Sequence, residues 1–193
     1  MSSVPRIPED GLVGVRMSAD EYFALGETDE RYELVDGVVI MSPAPTPLHQ
    51  KLLQSLLRQL AAYEATQPGV QYFQDCNLQL ARGTVYEADI IIYAPGRLTR
   101  IPQRLTQTPE LIIEVLSPGS KAKDMTTKRQ DYARFGVAEY VLIDQADASA
   151  RHLRLTGSAY VESPVSDHRV VIESVPGLVF DMQPLRAMLR LAE

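Results

Sequence analysis

One cysteine, Cys76, stands in 193 residues. It cannot close an internal disulfide, and no cysteine or histidine cluster has the spacing of a zinc site. No apolar run approaches the roughly 18 residues needed to span a bilayer. The first ten residues, with Pro5, Pro8 and the charges of Arg6, Glu9 and Asp10, lack the shape of a signal peptide. The expected setting is the cytoplasm, with no membrane partner. Positive charge is also scarce: 19 Lys and Arg against 25 Asp and Glu leave a net charge of −6. That balance argues against broad nucleic-acid binding, which shows a basic footprint. Nucleotide loops are missing too. There is no Gly-x-Gly-x-x-Gly, and Ser117-Pro-Gly-Ser-Lys121 lacks the Gly-x-x-x-x-Gly-Lys-Ser/Thr spacing of a P-loop.

What remains is the composition of a globular domain, 45% hydrophobic and 23% charged. Residues 1–17 read as a flexible arm broken by prolines and glycines, and 18–193 as a single domain. Ser18-Ala-Asp-Glu21 is a capping box, opening a short helix over 19–25. Asp36-Gly37 between two apolar runs is a hairpin signal. A helix over 48–65 carries the stripe Leu52, Leu53, Leu56, Leu57, Leu60 and Tyr63. Short strands are expected at 70–73 and 77–81, and buried strands at 86–93, 110–116 and 139–144. A helix is expected over 124–135, stopped by Gly136. An antiparallel ribbon over 151–155, 159–162 and 169–173 follows, then a helix over 184–191. The fold class is α/β, a central mixed sheet flanked by helices, with an N-terminal hairpin and a C-terminal ribbon.

Four charged residues break their local patterns. Glu114 stands in the middle of Glu110-Leu-Ile-Ile-Glu-Val-Leu116, a strand apolar on both faces and therefore covered on both. Asp89 opens an Ile-Ile-Ile run, and Glu33 lies beside Leu34 and Val35 in the hairpin. On a helical wheel Lys128 falls with Met125, Tyr132 and Phe135, pointing at the sheet. Each has a plain structural explanation. Asp89 would serve as a turn residue, Glu33 as an edge-strand gatekeeper, Lys128 as a snorkelling chain, and Glu114 with Lys128 as a buried ion pair. Together they point to one site, since each would otherwise need its own explanation. Carboxylates hold a hard cation such as Mg²⁺, and a nearby ammonium orients water or stabilises transition-state charge. His49, in the first turn of the long helix, could touch a phosphate or a water at Glu33, although a partly exposed histidine is the commoner case at a helix start, and His152 and His168 read as surface residues.

The order of motifs carries a resemblance. Tyr32-Glu-Leu-Val-Asp-Gly37, Ser42-Pro-Ala-Pro-Thr-Pro-Leu-His49, Asp89-Ile-Ile-Ile92, Glu110-Leu-Ile-Ile-Glu-Val-Leu-Ser-Pro118, Lys128-Arg-x-x-Tyr132 and Gly136-Val-Ala-Glu-Tyr140 with Asp144 follow one another. In that order the chain resembles the Uma-two family of restriction-endonuclease-like proteins, a branch of the PD-(D/E)XK nuclease superfamily, from about Met17 to the last helix. The resemblance implies a restriction-endonuclease-like fold and an endonuclease that hydrolyses phosphodiester bonds in DNA with Mg²⁺ or Mn²⁺. It implies Asp89 and Glu114 as metal ligands, with Glu33 and Lys128 completing the catalytic set. The superfamily keeps its lysine two residues after the glutamate. Leu116 stands there, and Lys128 is the migrated replacement. Ala88 stands where the motif proline would be. The alternative is a catalytically inactive nuclease fold that binds nucleic acid or protein. A homodimer is the expected assembly, since a duplex offers two strands to cut and the ribbon can pair across subunits.

Overall fold

The computed structural model describes residues 11–190. Tertiary contacts group them into two compact units, one built from residues up to 44 with 76–87 and 102–107, the other from 45–75, 88–101 and 108 onward.

In the first unit, α1 (Ala19–Ala24) is opened by the expected capping box, with Ser18 and Glu21 exchanging side-chain and backbone bonds. Strands β1 (Tyr32–Val35) and β2 (Val38–Met41) form the expected hairpin. Its two turn residues, Asp36 and Gly37, have φ of 47° and 77°, the left-handed pair a two-residue hairpin turn demands. The arm of the sequence reading covers residues 1–17, of which 1–10 lie outside the described residues. Within the rest, Leu12 is buried, Arg16 bridges Val38, and Met17 N donates to Gly37 O at 2.8 Å. A small core of Leu12, Ala19, Tyr22, Leu34, Val39 and Val85 closes this unit.

Strands β3 (Gln71–Ala81) and β4 (Thr84–Tyr93) pair with each other, and each runs from one unit into the other. The sequence splits β3 into two strands. The backbone keeps it whole, with Asp75 taking a φ of 48° in mid-strand.

In the second unit, the far half of β4 pairs antiparallel with β5 (Leu111–Leu116), β5 pairs parallel with β6 (Glu139–Asp144), and β7 (Ala150–Thr156) and β8 (Ala159–Ser163) extend the sheet antiparallel. The sheet is therefore mixed, as expected. The expected ribbon divides: β7 and β8 join this sheet, while β9 (Arg169–Val171) pairs with β10 (Val179–Asp181) in a separate two-stranded sheet. The long helix α2 (Pro47–Thr66) starts on a Thr46 cap that accepts from His49 N at 3.1 Å. It lays Leu52, Leu53, Leu56 and Leu60 on one sheet face, against Ile90, Ile92, Ile113, Val115, Val141 and Ile143. Full burial stabilises each leucine by about 1.5–3 kcal/mol. The C-terminal helix α5 (Gln183–Leu189) joins the same core through Leu185.

The helix expected over 124–135 is not one helix. It begins as a single turn, α3 (Lys121–Lys123), widens into a π turn over Asp124–Lys128, and resumes as α4 (Arg129–Arg134). A π turn holds one residue more than the α turn it replaces, and such bulges concentrate at functional sites.

Candidate active site in the second unit

Strands β4 and β5 pair through Ile92↔Leu111, Ile91↔Ile112 and Ile90↔Ile113. One step further in the same register, Asp89 and Glu114 stand opposite each other. Here side chains replace the ladder: Asp89 N donates to Glu114 Oε2 at 3.4 Å, and Val115 N donates to Asp89 Oδ2 at 2.7 Å. A buried N–H requires an acceptor, and two carboxylates supply it. Both are shielded, Asp89 at 7% and Glu114 at 3% exposure.

Glu114 Oε1 faces the helical layer. It accepts from Lys128 Nζ at 2.8 Å and from the Tyr132 hydroxyl at 3.2 Å. Lys128 is itself buried and reaches Asp124 Oδ1 at 3.4 Å, so one ammonium lies between two carboxylates. The π turn produces this: Asp124 and Lys128 bound it, and both turn inward. Tyr132 and Tyr140 meet edge to face at 5.0 Å, Tyr140 lies against Tyr160 at 6.0 Å, and the Tyr140 hydroxyl donates to Asp124 O at 3.3 Å. This aromatic wall closes the cluster on the helical side. Burial pushes the Glu114 carboxyl well above the usual carboxylate range. Lys128 pulls it back, and the charges of Asp89 and Asp124 push it up again.

Of the residues singled out in the sequence, Asp89, Glu114 and Lys128 are brought together. Glu33 belongs to the first unit, fully buried on β1, where its Oε1 accepts from Glu87 N at 3.2 Å. Two further residues join them. His49 is buried rather than partly exposed, and its Nε2 lies 3.3 Å from Asp89 Oδ1. The buried stripe of α2 extends back one turn from Leu52 and Leu53 to position 49. Asp124, expected only as the first residue of a helix, stands four residues before Lys128, a spacing that brings side chains together on a helix.

Other expectations change. Leu116, in the place of the motif lysine, is buried and pairs in register with Asp144. The Ser117–Ser120 loop spends its donors on itself: Ser120 N goes to Ser117 Oγ and Ser117 N to Ser120 Oγ, both at 3.2 Å. It is therefore no phosphate cradle. Of the loop cations that the sequence offers to a phosphate backbone, Arg97, Arg100, Arg104, Lys121 and Lys123, Arg97 is paired with Glu110, Arg104 with Asp20, and Lys121 with Asp144. His152, read as a surface residue, is 2% exposed and bonded to Glu139, whose other oxygen accepts from Ser174 N. His168 is exposed, as expected.

Among the described residues, no group of three or more His, Cys, Asp or Glu side chains is gathered as a ready-made metal cage. The Asp89–Glu114 pair still fits a hard divalent cation. Mg²⁺ keeps much of its water shell and takes one or two carboxylates, and here two oxygen donors crowd each other enough for Asp89 to raise Glu114.

A mixed sheet covered by helices, with carboxylates where two antiparallel strands part, places the chain among nuclease-type α/β folds. It belongs to the Uma2 family, described as "Putative restriction endonuclease", which it matches over residues 19–186. Among solved structures it is similar to "a putative nuclease belonging to DUF820 from Anabaena variabilis", with a TM-score of 0.76 and 20% sequence identity over 90% of this chain and 99% of that one. At that identity the likeness concerns the fold. No curated protein matches the sequence. No helix among the described residues is long and apolar enough to cross a membrane.

Proposed function

We propose that this chain is a divalent-cation-dependent endonuclease hydrolysing phosphodiester bonds in DNA. The observation that carries the reading is the opposed pair Asp89 and Glu114 with the buried Lys128 ammonium 2.8 Å from Glu114. Asp89 and Glu114 would hold Mg²⁺ or Mn²⁺, which when bound polarises a phosphoryl oxygen and lowers the pKa of a bound water. Lys128, aimed by Asp124 and Glu114, orients the attacking water and balances charge that develops on the phosphate. Tyr132 fixes the Glu114 carboxylate. His49 orients Asp89 from the start of α2. Glu33 enters the catalytic set on the family motif alone. Membership of a family described as "Putative restriction endonuclease" supports nucleic acid as the substrate.

The test is nicking of supercoiled plasmid with Mg²⁺ and with Mn²⁺. Wild-type protein should nick, and Asp89→Ala should be slower by about 10²-fold or more, the scale of losing one pre-organised electrostatic group. Equal rates for the two proteins would sink the assignment. Glu33→Gln in the same assay decides whether that residue belongs to the set.

A second reading, a nuclease fold without catalysis, draws support from the closure of the network: Lys128, Tyr132 and Asp89 N already engage both Glu114 oxygens. Calorimetry with Mn²⁺ separates the two. Heat that disappears in Glu114→Gln supports the enzyme, and no Glu114-dependent heat supports the binding module. A homodimer belongs to the first reading, because a duplex presents two strands. Light scattering that gives a monomer mass with DNA bound removes that part of it.

A further inference from the structure

Beyond the carboxylates, the second unit carries a cleft of about 520 Å³ at the carboxyl ends of β5 and β6. This is where open α/β sheets bind ligands, and the volume falls within the roughly 300–1,000 Å³ of small-molecule sites. Leu48, Leu116 and Leu189 give it apolar walls, and Lys121, Asp144 and Gln145 give it polar groups. The Lys121 ammonium and Asp144 carboxylate lie 2.6 Å apart, so a donor and an acceptor stand side by side. The Gln145 amide is anchored through Oε1 to the Thr46 hydroxyl at 3.3 Å.

We infer that this cleft receives one unstacked nucleobase of the substrate strand, next to the phosphate held at Asp89 and Glu114. The inference rests on the nuclease reading and adds to it a substrate preference. Three observations converge on a base rather than another ligand. A phosphate alone has no use for three leucines and would be repelled by Asp144. A purely apolar ligand would bury the Lys121–Asp144 pair without replacing its hydration, which is costly. A base has two apolar faces and an edge of alternating donors and acceptors, which matches walls and rim together.

Distance points the same way. Leu116 follows Glu114 by two residues on the same face of β5, about 7 Å along the strand. About one nucleotide of strand covers that span, so the base beside a phosphate held at the carboxylates reaches the cleft, and the leucine walls can flank both its faces once it leaves the stack. The position of Leu116 also acquires a reason. A lysine there would put an ammonium into the apolar wall. With Lys128 supplying that charge from the π turn, position 116 is released to line the cleft.

The experiment is fluorescence anisotropy with labelled 12-nucleotide single strands, intact or carrying one abasic residue moved stepwise along the strand, with Ca²⁺ as the cation. For wild type, the abasic residue should weaken binding about tenfold at one position and little elsewhere, the scale of one lost stacking contact. Leu48→Ala and Gln145→Ala should bind the intact strand about tenfold more weakly and should no longer distinguish it from the abasic one. Thermal melts establish that each variant is folded, and Gln145→Ala, at a half-buried position, serves where Leu48→Ala fails to fold. Wild-type protein that nicks plasmid yet binds every abasic strand as tightly as the intact one overturns the cleft assignment and leaves the nuclease reading standing. Protein that neither binds nor cuts any nucleic acid overturns both.

Discussion

Lys128 compensates two buried carboxylates at once, and this sets what its loss should do. Lys128→Met leaves Glu114 and Asp124 without their shared counter-charge. Removing one partner of a buried pair costs about 3–5 kcal/mol at neutral pH, measurable as a lower urea midpoint. Because burial already holds the Glu114 carboxyl above its ordinary value, its protonated form suits the fold. The penalty should therefore shrink as pH falls and grow as it rises through the folded-state pKa. The double variant Lys128→Met with Glu114→Gln should recover much of the stability and none of the nicking, separating packing from chemistry. Glu139 behaves in the opposite sense. Burial pushes its carboxyl up, but the bonds from His152 and Ser174 outweigh that and leave it below its ordinary value. Its stabilisation is present above the unfolded-state pKa near 4.3 and is lost as pH falls through the lower folded-state value. Glu139→Gln should thus be less stable than wild type by about 2 kcal/mol at pH 7, with the gap narrowing towards pH 3. A gap unchanged over that range would show that the pair contributes no charge-dependent stability.

The π turn over Asp124–Lys128 is the element that delivers the ammonium to the sheet. Deleting Thr127 removes the one extra residue and lets the helix run as α. Lys128 should then rotate by about 100°, one residue of helical pitch, away from Glu114. Circular dichroism should show a folded helical protein while plasmid nicking is lost, and retained nicking would show that the turn is dispensable. This element also marks the limit of what the sequence discloses. Strands β4, β5 and β6 are legible because burial on both faces writes continuous Ile, Leu and Val runs, and a charge inside such a run is conspicuous, so Asp89 and Glu114 stand out. Lys128 is legible because it interrupts an apolar stripe. The π turn is not, since one inserted residue changes no composition and shifts the wheel by only one position. Asp124 was lost with it. His49 lies one turn before Leu52 and Leu53 on the same helix face, so its burial was legible in the spacing, and only its polarity argued for the surface. The pairing of His152 with Glu139 joins residues 13 apart on neighbouring strands, a relation that no local pattern records.

At the scale of the molecule, the net charge of −6 and the engagement of Arg97, Arg104 and Lys121 with carboxylates reduce the positive charge that the loops flanking β5 offer to phosphates. Each phosphate contact contributes about −0.9 to the slope of log K against log salt for duplex DNA. The slope here should be no steeper than about −3, read from binding to a short duplex between 50 and 200 mM salt. A much steeper slope would mean that the ion pairs open and turn their cations to the DNA. Shallow salt dependence would also leave base and cation contacts to carry most of the affinity.

The bond from Val115 N to Asp89 Oδ2 makes one backbone proton a built-in gauge. Its resonance reads the electron density on that carboxylate oxygen, so a cation arriving at Asp89 should move the Val115 amide peak in a titration before any strand is cut. A listening post of this kind needs no substrate and no mutation.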